Sequence, residues 1–228
     1  MTQLHDRGAK PATQRPLFVM GAGGHAVSVA SVAVAAGFPL HGFVDAARGG
    51  GTLLGYPIHA RIEDLPPAAP FACAIAIGDN STRERVFERL REQHPGLEYP
   101  ALIHPSAVVS AFTRIGDGTV VMPQACIGPS STIGRFCIVN TSASIDHDGA
   151  MADFASLAPG AVTGGAVRIG LRSAVSIGAV VKHGVEIGDD SVLGANSYLN
   201  KPLPVGSVAY GSPARVVRNR TRDDAYLK

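Results

Sequence analysis

The chain has 228 residues, 46% of them hydrophobic, with 27 glycines and a formal net charge of +2. That length accommodates two modest domains with apolar cores, and the near-neutral charge gives no electrostatic footprint for nucleic acid. Three cysteines make no disulfide framework, and no apolar run is long enough to span a membrane.

Residues 1–16 are polar, lack the apolar stretch of a signal peptide, and read as a disordered leader of a cytoplasmic protein. Leu17 to Met20 is a short strand running into Gly21-Ala22-Gly23-Gly24-His25-Ala26. A helix rich in alanine and valine follows to about Ala36, stopped by Gly37, and Leu40 to Val44 is a second strand ending at Asp45. Cys73 to Ile77 is another strand, closed by Gly78-Asp79-Asn80. Ser81 then caps a charged helix to about His94, with Glu84 at the capping-box position. This β-α-β punctuation predicts a small Rossmann-like α/β half-domain over residues 17–100.

Gly21-x-Gly23-x-x-Ala26, between strand and helix, is the glycine pattern of a phosphate-binding turn, where small residues let backbone N–H groups approach an anion. Asp45 follows at a spacing suited to a ribose or sugar hydroxyl. The pattern alone is that of a dinucleotide site, yet only one half of a dinucleotide fold is present. A nucleotide-sugar needs the same diphosphate chemistry from one half. A purely structural turn, with His25 a surface residue beside it, is the remaining reading.

From Ile103 to Val205 an aliphatic residue recurs every six positions, with Thr163 the departure, and the residue four positions later is usually small. Gly, Asn or Asp often follows the aliphatic residue directly, as in Ile127-Gly128 and Val139-Asn140. Such a period fits neither a helix nor simple alternation. It fits short strands joined by corners in which Gly or Asn takes up the turn, the mark of a parallel β-helix. The pattern resembles the hexapeptide-repeat acyltransferases. That resemblance implies three hexads per coil, six coils, a left-handed wind and a homotrimer. The β-helix is assigned to residues 101–214, with Cys126 and Cys137 as small buried thiols. Residues 215–228, carrying Arg215, Arg218, Arg220 and Arg222, read as a solvated tail.

Within the repeats, Asn140-Thr141-Ser142-Ala143-Ser144-Ile145-Asp146-His147-Asp148 stands out. A His between two carboxylates has an anionic neighbour able to fix its tautomer and stabilise its cation, as a general base requires. Strand alternation keeps Asp146 and Asp148 from both being assumed to touch the ring, and carboxylates and burial pull its pKa in opposite directions. An exposed polar corner is the alternative. Gly165 lies eighteen residues on, at the same corner of the next coil, where Gly164-Gly165 leaves the backbone open as an oxyanion-binding N–H requires. His183 stacks two coils from His147, roughly 10 Å away by rung spacing and too far to pair. His104, in a His-Pro turn, reads as structural.

Gly21-x-Gly23-Gly24-His25, Ile103-His104-Pro105-Ser106-Ala107, the Asn140 to Asp148 segment and Gly211-Ser212-Pro213-Ala214-Arg215 occur together in one chain. Their combination, over residues 17–217, resembles the bacterial nucleotide-sugar acetyltransferases. These include bacillosamine and perosamine N-acetyltransferases and sialic-acid O-acetyltransferase-like proteins. The resemblance implies acetyl-CoA as co-substrate and no metal, nucleic acid or membrane partner. It makes His147 the base, supported by Asp146 or Asp148, gives the oxyanion to the Gly165 N–H, and puts Asn140 in the active-site strand. Acetyl-CoA would lie in a groove between adjacent prisms, from Gly165 to an adenosine end near Gly211, Ser212, Pro213, Ala214 and Arg215. Gly21, Gly23, Gly24, His25, Asp45, Gly78 and Asp79 would hold the nucleotide-sugar. Some relatives place a second His nine residues after the base; here that position is Ser156.

The implied reaction is direct acetyl transfer to the amine of a UDP- or GDP-4-amino sugar. O-acetylation of the sialic-acid type needs the same base and stays open. A zinc hydrolase needs three convergent ligands, which the columns of His104, His147 and His183 do not supply within one chain. A non-catalytic scaffold is the last alternative.

Overall fold

A computed structural model describes residues 15–65 and 70–226. The expected leader therefore lies, except for Arg15 and Pro16, outside the described residues. Five strands, β1 (Leu17–Met20), β2 (Leu40–Val44), β3 (Thr52–Leu53), β4 (Tyr56–His59) and β5 (Ala72–Ile75), form a sheet of order β3-β4-β2-β1-β5. β4, β2, β1 and β5 run parallel and β3 returns antiparallel on β4. Helices α1 (Gly24–Ala35) and α2 (Asn80–Gln93) and a 3-10 turn at Ile62–Asp64 belong to this part. β1 is buried at all four residues, as a central parallel strand covered on both sides must be. The β3–β4 hairpin is a feature the sequence reading did not contain. No helix among the described residues is long and apolar enough to cross a membrane.

The second helix does not begin as expected. Its cap is Asp79, whose carboxylate accepts the Thr82 N–H at 2.9 Å. Ser81 and Glu84 do not form a capping box: Ser81 donates to the Arg222 carbonyl, and Glu84 pairs with Arg172 and Arg222.

The repeats build a three-sided, left-handed parallel β-helix whose two-residue strands pair eighteen positions apart. The first face carries the strands that start at Leu102, Val120, Ile138, Ser156, Ala174 and Val192. The second starts at Val108, Cys126, Ser144, Val162, Val180 and Tyr198. The third starts at Arg114, Thr132, Ala150, Arg168 and Glu186. The period-six aliphatic residues and the small residues four positions later fill one continuous interior.

The corners are made differently from the expectation. The glycine after each aliphatic residue does not supply the left-handed turn; the third residue after it does, without interruption from Phe112 to Asn196 every six positions. Eleven of those fifteen residues are not glycine. An L-residue there is strained, and the offsetting interaction is visible: from Phe136 onward its N–H runs along the axis to a carbonyl of the preceding coil, as in Asp148 to Pro129 and Ala166 to His147. The glycine directly after the aliphatic residue is required by crowding. A Cβ on Gly128 would lie 2.6 Å from the His147 nitrogen, and one on Gly164 2.8 Å from that of His183.

The hexad register also breaks at the end. Leu203, 3% exposed, takes the inward site and pairs with Ile187, whereas Val205 is 69% exposed. Two residues are thus lost from the last turn, and a hairpin of Ser207–Gly211 and Ala214–Asn219 extends the first face. The expected solvated tail keeps Arg215, Arg218 and Arg222 exposed, yet it is docked at three points. Arg220 is buried against the Asp190 carbonyl, Arg222 binds Glu84, and the Tyr226 hydroxyl donates to the Gly78 carbonyl. Cys126, at the outward position of its strand, is exposed rather than buried; Cys137 is buried.

The two parts are locked through Arg83, which is fully buried with no carboxylate on its guanidinium. Its five N–H donors bond the carbonyls of Phe136, Phe154, Ile77 and Gly78 and the Asn80 side chain at 2.7–3.1 Å. Phe87 packs beside it on the Phe136 and Phe154 rings, which stack at 5.2 Å. Arg83→Met keeps the stem, strands the buried Phe136 and Phe154 carbonyls and takes a donor from those of Ile77 and Gly78. It is expected to cost on the order of 3 kcal/mol or more, read as a lower midpoint in urea with an unchanged slope.

Candidate active site

The corner between the second and third faces holds Asp146, His147 and Asp148. The two carboxylates divide their roles. Asp146 accepts the His147 backbone N–H at 2.7 Å, while Asp148 accepts from Nδ1 of the ring at 2.8 Å. Asp148 reaches the ring because its left-handed φ of 56° turns the side chain back along the corner. A carboxylate only accepts, so Nδ1 carries the proton and Nε2 is left with a free lone pair. The hydrogen bond to Asp148, then the charge of Asp146, hold the imidazole above its ordinary pKa, a direction the sequence left open.

The ring lies across Gly165. A Cβ there would stand 2.5 Å from Cε1 and 3.0 Å from Cδ2 of His147, with Nε2 nearer still. Gly165 is thus required by the imidazole itself. Its carbonyl accepts from Gly184, and its own N–H makes no hydrogen bond among the described residues. Ser131 steadies the corner by donating to the Asp146 carbonyl at 2.9 Å. The arrangement offers an accepting nitrogen on an exposed ring, beside the unused amide of a glycine that is itself buried beneath that ring. His183 occupies the same column two coils on, and the His104 ring is bonded to Ser106.

Asn140 is not brought to this corner. It sits between the first and second faces, where its side chain accepts the Thr141 N–H at 2.8 Å. The Gly211–Arg215 turn is on that same edge, since Gly211 bonds Ser197 and Tyr210 packs over Gly194. In one chain, then, the full width of the second face separates His147 and Gly165 from Asn140 and the hairpin tip.

The glycine turn meets the expectation better. Gly21 has φ +103°, and a Cβ on Gly23 or Gly24 would point into open space. Asp45 spends its oxygens on the Ala22 and Ala47 N–H groups at 2.9 and 3.0 Å, shaping the turn before it touches any ligand. A cavity of about 510 Å³ opens at the carboxyl ends of the strands, lined by Gly21, Val44, Asp45, Ile77 and Leu90 among others. This crevice, where β1 has neighbours wound to opposite sides, is where open α/β sheets bind ligands. Gly23, Gly24, His25, Gly78 and Asp79 do not line it.

Asp79 is engaged as the cap of α2, and the Gly78 carbonyl by Arg83 and Tyr226. His25 is half-buried: burial, then the charge of Arg83, lowers its pKa to about 4, and its Nε2 is buried without a partner among the described residues. Ser156 is far from the His147 corner, accepting from Asn80 on the covered first face. The cavity also holds Glu63, Arg89, Gln93 and His94, which the sequence reading missed. The available signal was the four-residue spacing of Arg89 and Gln93, which puts both on one side of α2.

Residues 16–90 match the family described as the PglD N-terminal domain. The chain is 33% identical over 149 residues to a GDP-perosamine N-acetyltransferase of Escherichia coli, a match covering 63% of this chain and 66% of that relative, just under two thirds of its length. Among solved structures, a mutant perosamine N-acetyltransferase from Caulobacter crescentus, in complex with CoA and GDP-perosamine, is 33% identical. It superposes with a TM-score of 0.84 over 90% of this chain and 97% of its own. The acetyltransferase domain of PglB from Neisseria gonorrhoeae, in complex with acetyl coenzyme A, is 34% identical, with a TM-score of 0.83 over 89% and 99%. With the glycine turn, the three-sided helix and the His147 corner each in place, the chain belongs to the bacterial nucleotide-sugar acetyltransferase family.

Proposed function

We propose that this protein moves the acetyl group of acetyl-CoA onto the amine of a nucleotide-linked 4-amino sugar, in the cytoplasm, by direct transfer in a ternary complex. The observation that carries the reading is the His147 ring, oriented by Asp148 and lying over the Gly165 backbone. The sugar nitrogen attacks the thioester carbonyl as Nε2 takes its proton. The tetrahedral oxyanion is held by the Gly165 N–H. Collapse breaks the C–S bond, and the thiolate recovers the proton from the imidazolium. The glycine turn and Asp45, in a nucleotide-binding part over residues 17–100, hold the diphosphate and sugar. A thiol-release assay with acetyl-CoA against UDP-, GDP- and dTDP-4-amino sugars, with free sialic acid as O-acceptor control, tests this. Release with sialic acid alone would move the chain to O-acetylation.

We propose further that the enzyme is a homotrimer through the second face. The first face is covered by α1 and the C-terminal segment, and the third is lined by Arg114, Thr132, Arg168 and Glu186. The second presents Val108, Val162 and Val180 at 58%, 41% and 42% exposure. Packing one face around a three-fold axis is a head-to-tail contact, so each edge of that face meets the opposite edge of the next copy. His147 and Gly165 of one copy then face Asn140 and the hairpin tip of another, the groove acetyl-CoA needs. Val180→Glu, by putting a charge on that face, is expected to give particles of one 23.5 kDa chain instead of three in light scattering, with the far-ultraviolet spectrum intact and kcat down about 10²-fold. A fully active monomer would overturn both the interface and the shared site.

A further inference from the structure

We infer that the nucleotide half of the substrate carries guanine, read at the far end of the N-terminal cavity by the Glu63 carboxylate, with Arg89 in the same cavity lining. This rests on the function proposed above and goes beyond it by naming the base.

The polar groups of the cavity sort by what already engages them. Asp45 is bonded to the Ala22 and Ala47 amides, and Arg61 is tied to Asp64 at 3.0 Å. That leaves Glu63, Arg89, Gln93 and His94, of which the last three lie in or just after the final turns of α2 and Glu63 touches His94. Arg89 has no ion-pair or hydrogen-bond partner among the described residues, and Glu63 touches only His94 Nε2, at 3.4 Å, on an exposed rim. The direction of the substrate follows from the docking of α2. Its first turn is fixed on the β-helix through Asn80 and Arg83. Its last turn, thirteen residues on, is roughly 20 Å away at 1.5 Å per residue. A substrate whose sugar reaches toward the β-helix, with its diphosphate at the Gly21–Gly24 turn, leaves its base at that last turn.

The chemistry of the rim then selects the base. A carboxylate is an acceptor only, with two parallel oxygens. Guanine offers it two adjacent donors, N1–H and the exocyclic N2–H, while its O6 and N7 suit a guanidinium. Uracil offers one N–H flanked on both sides by carbonyls, so the second carboxylate oxygen would meet a like partial charge. An adenine edge places an acceptor where guanine has N1–H.

Calorimetric titration of the intact protein with GDP, IDP and UDP reads this without any chemical step. GDP is expected to bind at least about tenfold tighter than UDP, with IDP, which lacks the N2 amine, between them. Glu63→Gln should weaken GDP about tenfold, abolish the GDP–IDP difference, and raise KM for the GDP-4-amino sugar by the same factor. UDP binding as tightly as GDP, or a GDP–IDP difference that survives Glu63→Gln, overturns the assignment. Thiol release with a UDP-amino sugar but not a GDP-amino sugar overturns the base assignment alone. Failure of every nucleotide to bind, with no thiol release from any amino sugar, overturns the proposed function with it.

Discussion

His147→Ala is expected to lower kcat by about 10² to 10⁴-fold, the range that general-base catalysis supplies, while the proposed trimer and acetyl-CoA affinity persist. The ring packs on one glycine and a carboxylate and is exposed, so its removal opens no core cavity. The pH dependence has a definite sign. As the proposed base His147 acts in its neutral form, and its bond to Asp148 together with the Asp146 charge raises its pKa. Activity therefore falls as pH drops through that raised value. Asp148→Asn removes the largest cause of the shift, so the acid limb of the kcat profile should move to lower pH even as the peak rate falls through lost orientation of the ring. A purely structural role for Asp148 lowers the peak without moving the limb. Turnover of His147→Ala near that of the wild type removes the imidazole from the chemistry.

The period of six was enough to read the β-helix, and a spacing of eighteen was enough to set Gly165 against His147, because stacking in a coil is a translation that sequence counting reproduces. What counting cannot reproduce is which residue of a corner bends. Asn140 and Gly128 look like turn residues, yet the left-handed positions fall on Asp148, Phe154 and Arg172, whose N–H groups bond the coil behind. For the same reason Asp148, and not Asp146, finds the ring. The loss of two residues before Leu203 was equally hidden, since Val205 keeps the period while facing solvent.

The placement of Asn140 in the active-site strand, and of Gly211 at the adenosine end of a groove between prisms, came from resemblance; within one chain both lie on the edge opposite His147. A motif records that residues serve one site, not that one copy supplies them. In the N-terminal part, the strand and glycine turn were legible because they are local. Arg83 was not: it read as one more charge on a polar helix, and only the approach of the Phe136 and Phe154 carbonyls buries it. The docking of the tail was missed likewise, because Arg220, Arg222 and Tyr226 find partners 30 to 148 residues away.

Gly165→Ala is expected to leave the fold intact and cut kcat by about 10²-fold or more, the cost of displacing a reacting group by about 1 Å. The methyl would occupy the space of the His147 ring, which must swing off the corner and carry Nε2 from its place beside the Gly165 amide. Gly165 does not have a left-handed φ, so the change adds no backbone strain. Gly164→Ala is the informative contrast. Its methyl meets the His183 backbone at 2.8 and 3.0 Å, which cannot swing away, so that variant should lose Tm, and any loss of kcat should follow from unfolding. If the Gly165 effect runs through His147, the double variant with His147→Ala will be no slower than His147→Ala alone, since residues that act as a unit are not additive. Independent, multiplying losses would instead leave the Gly165 amide acting on the substrate without the ring, and a wild-type rate for Gly165→Ala would mean that the imidazole does its work from some other position.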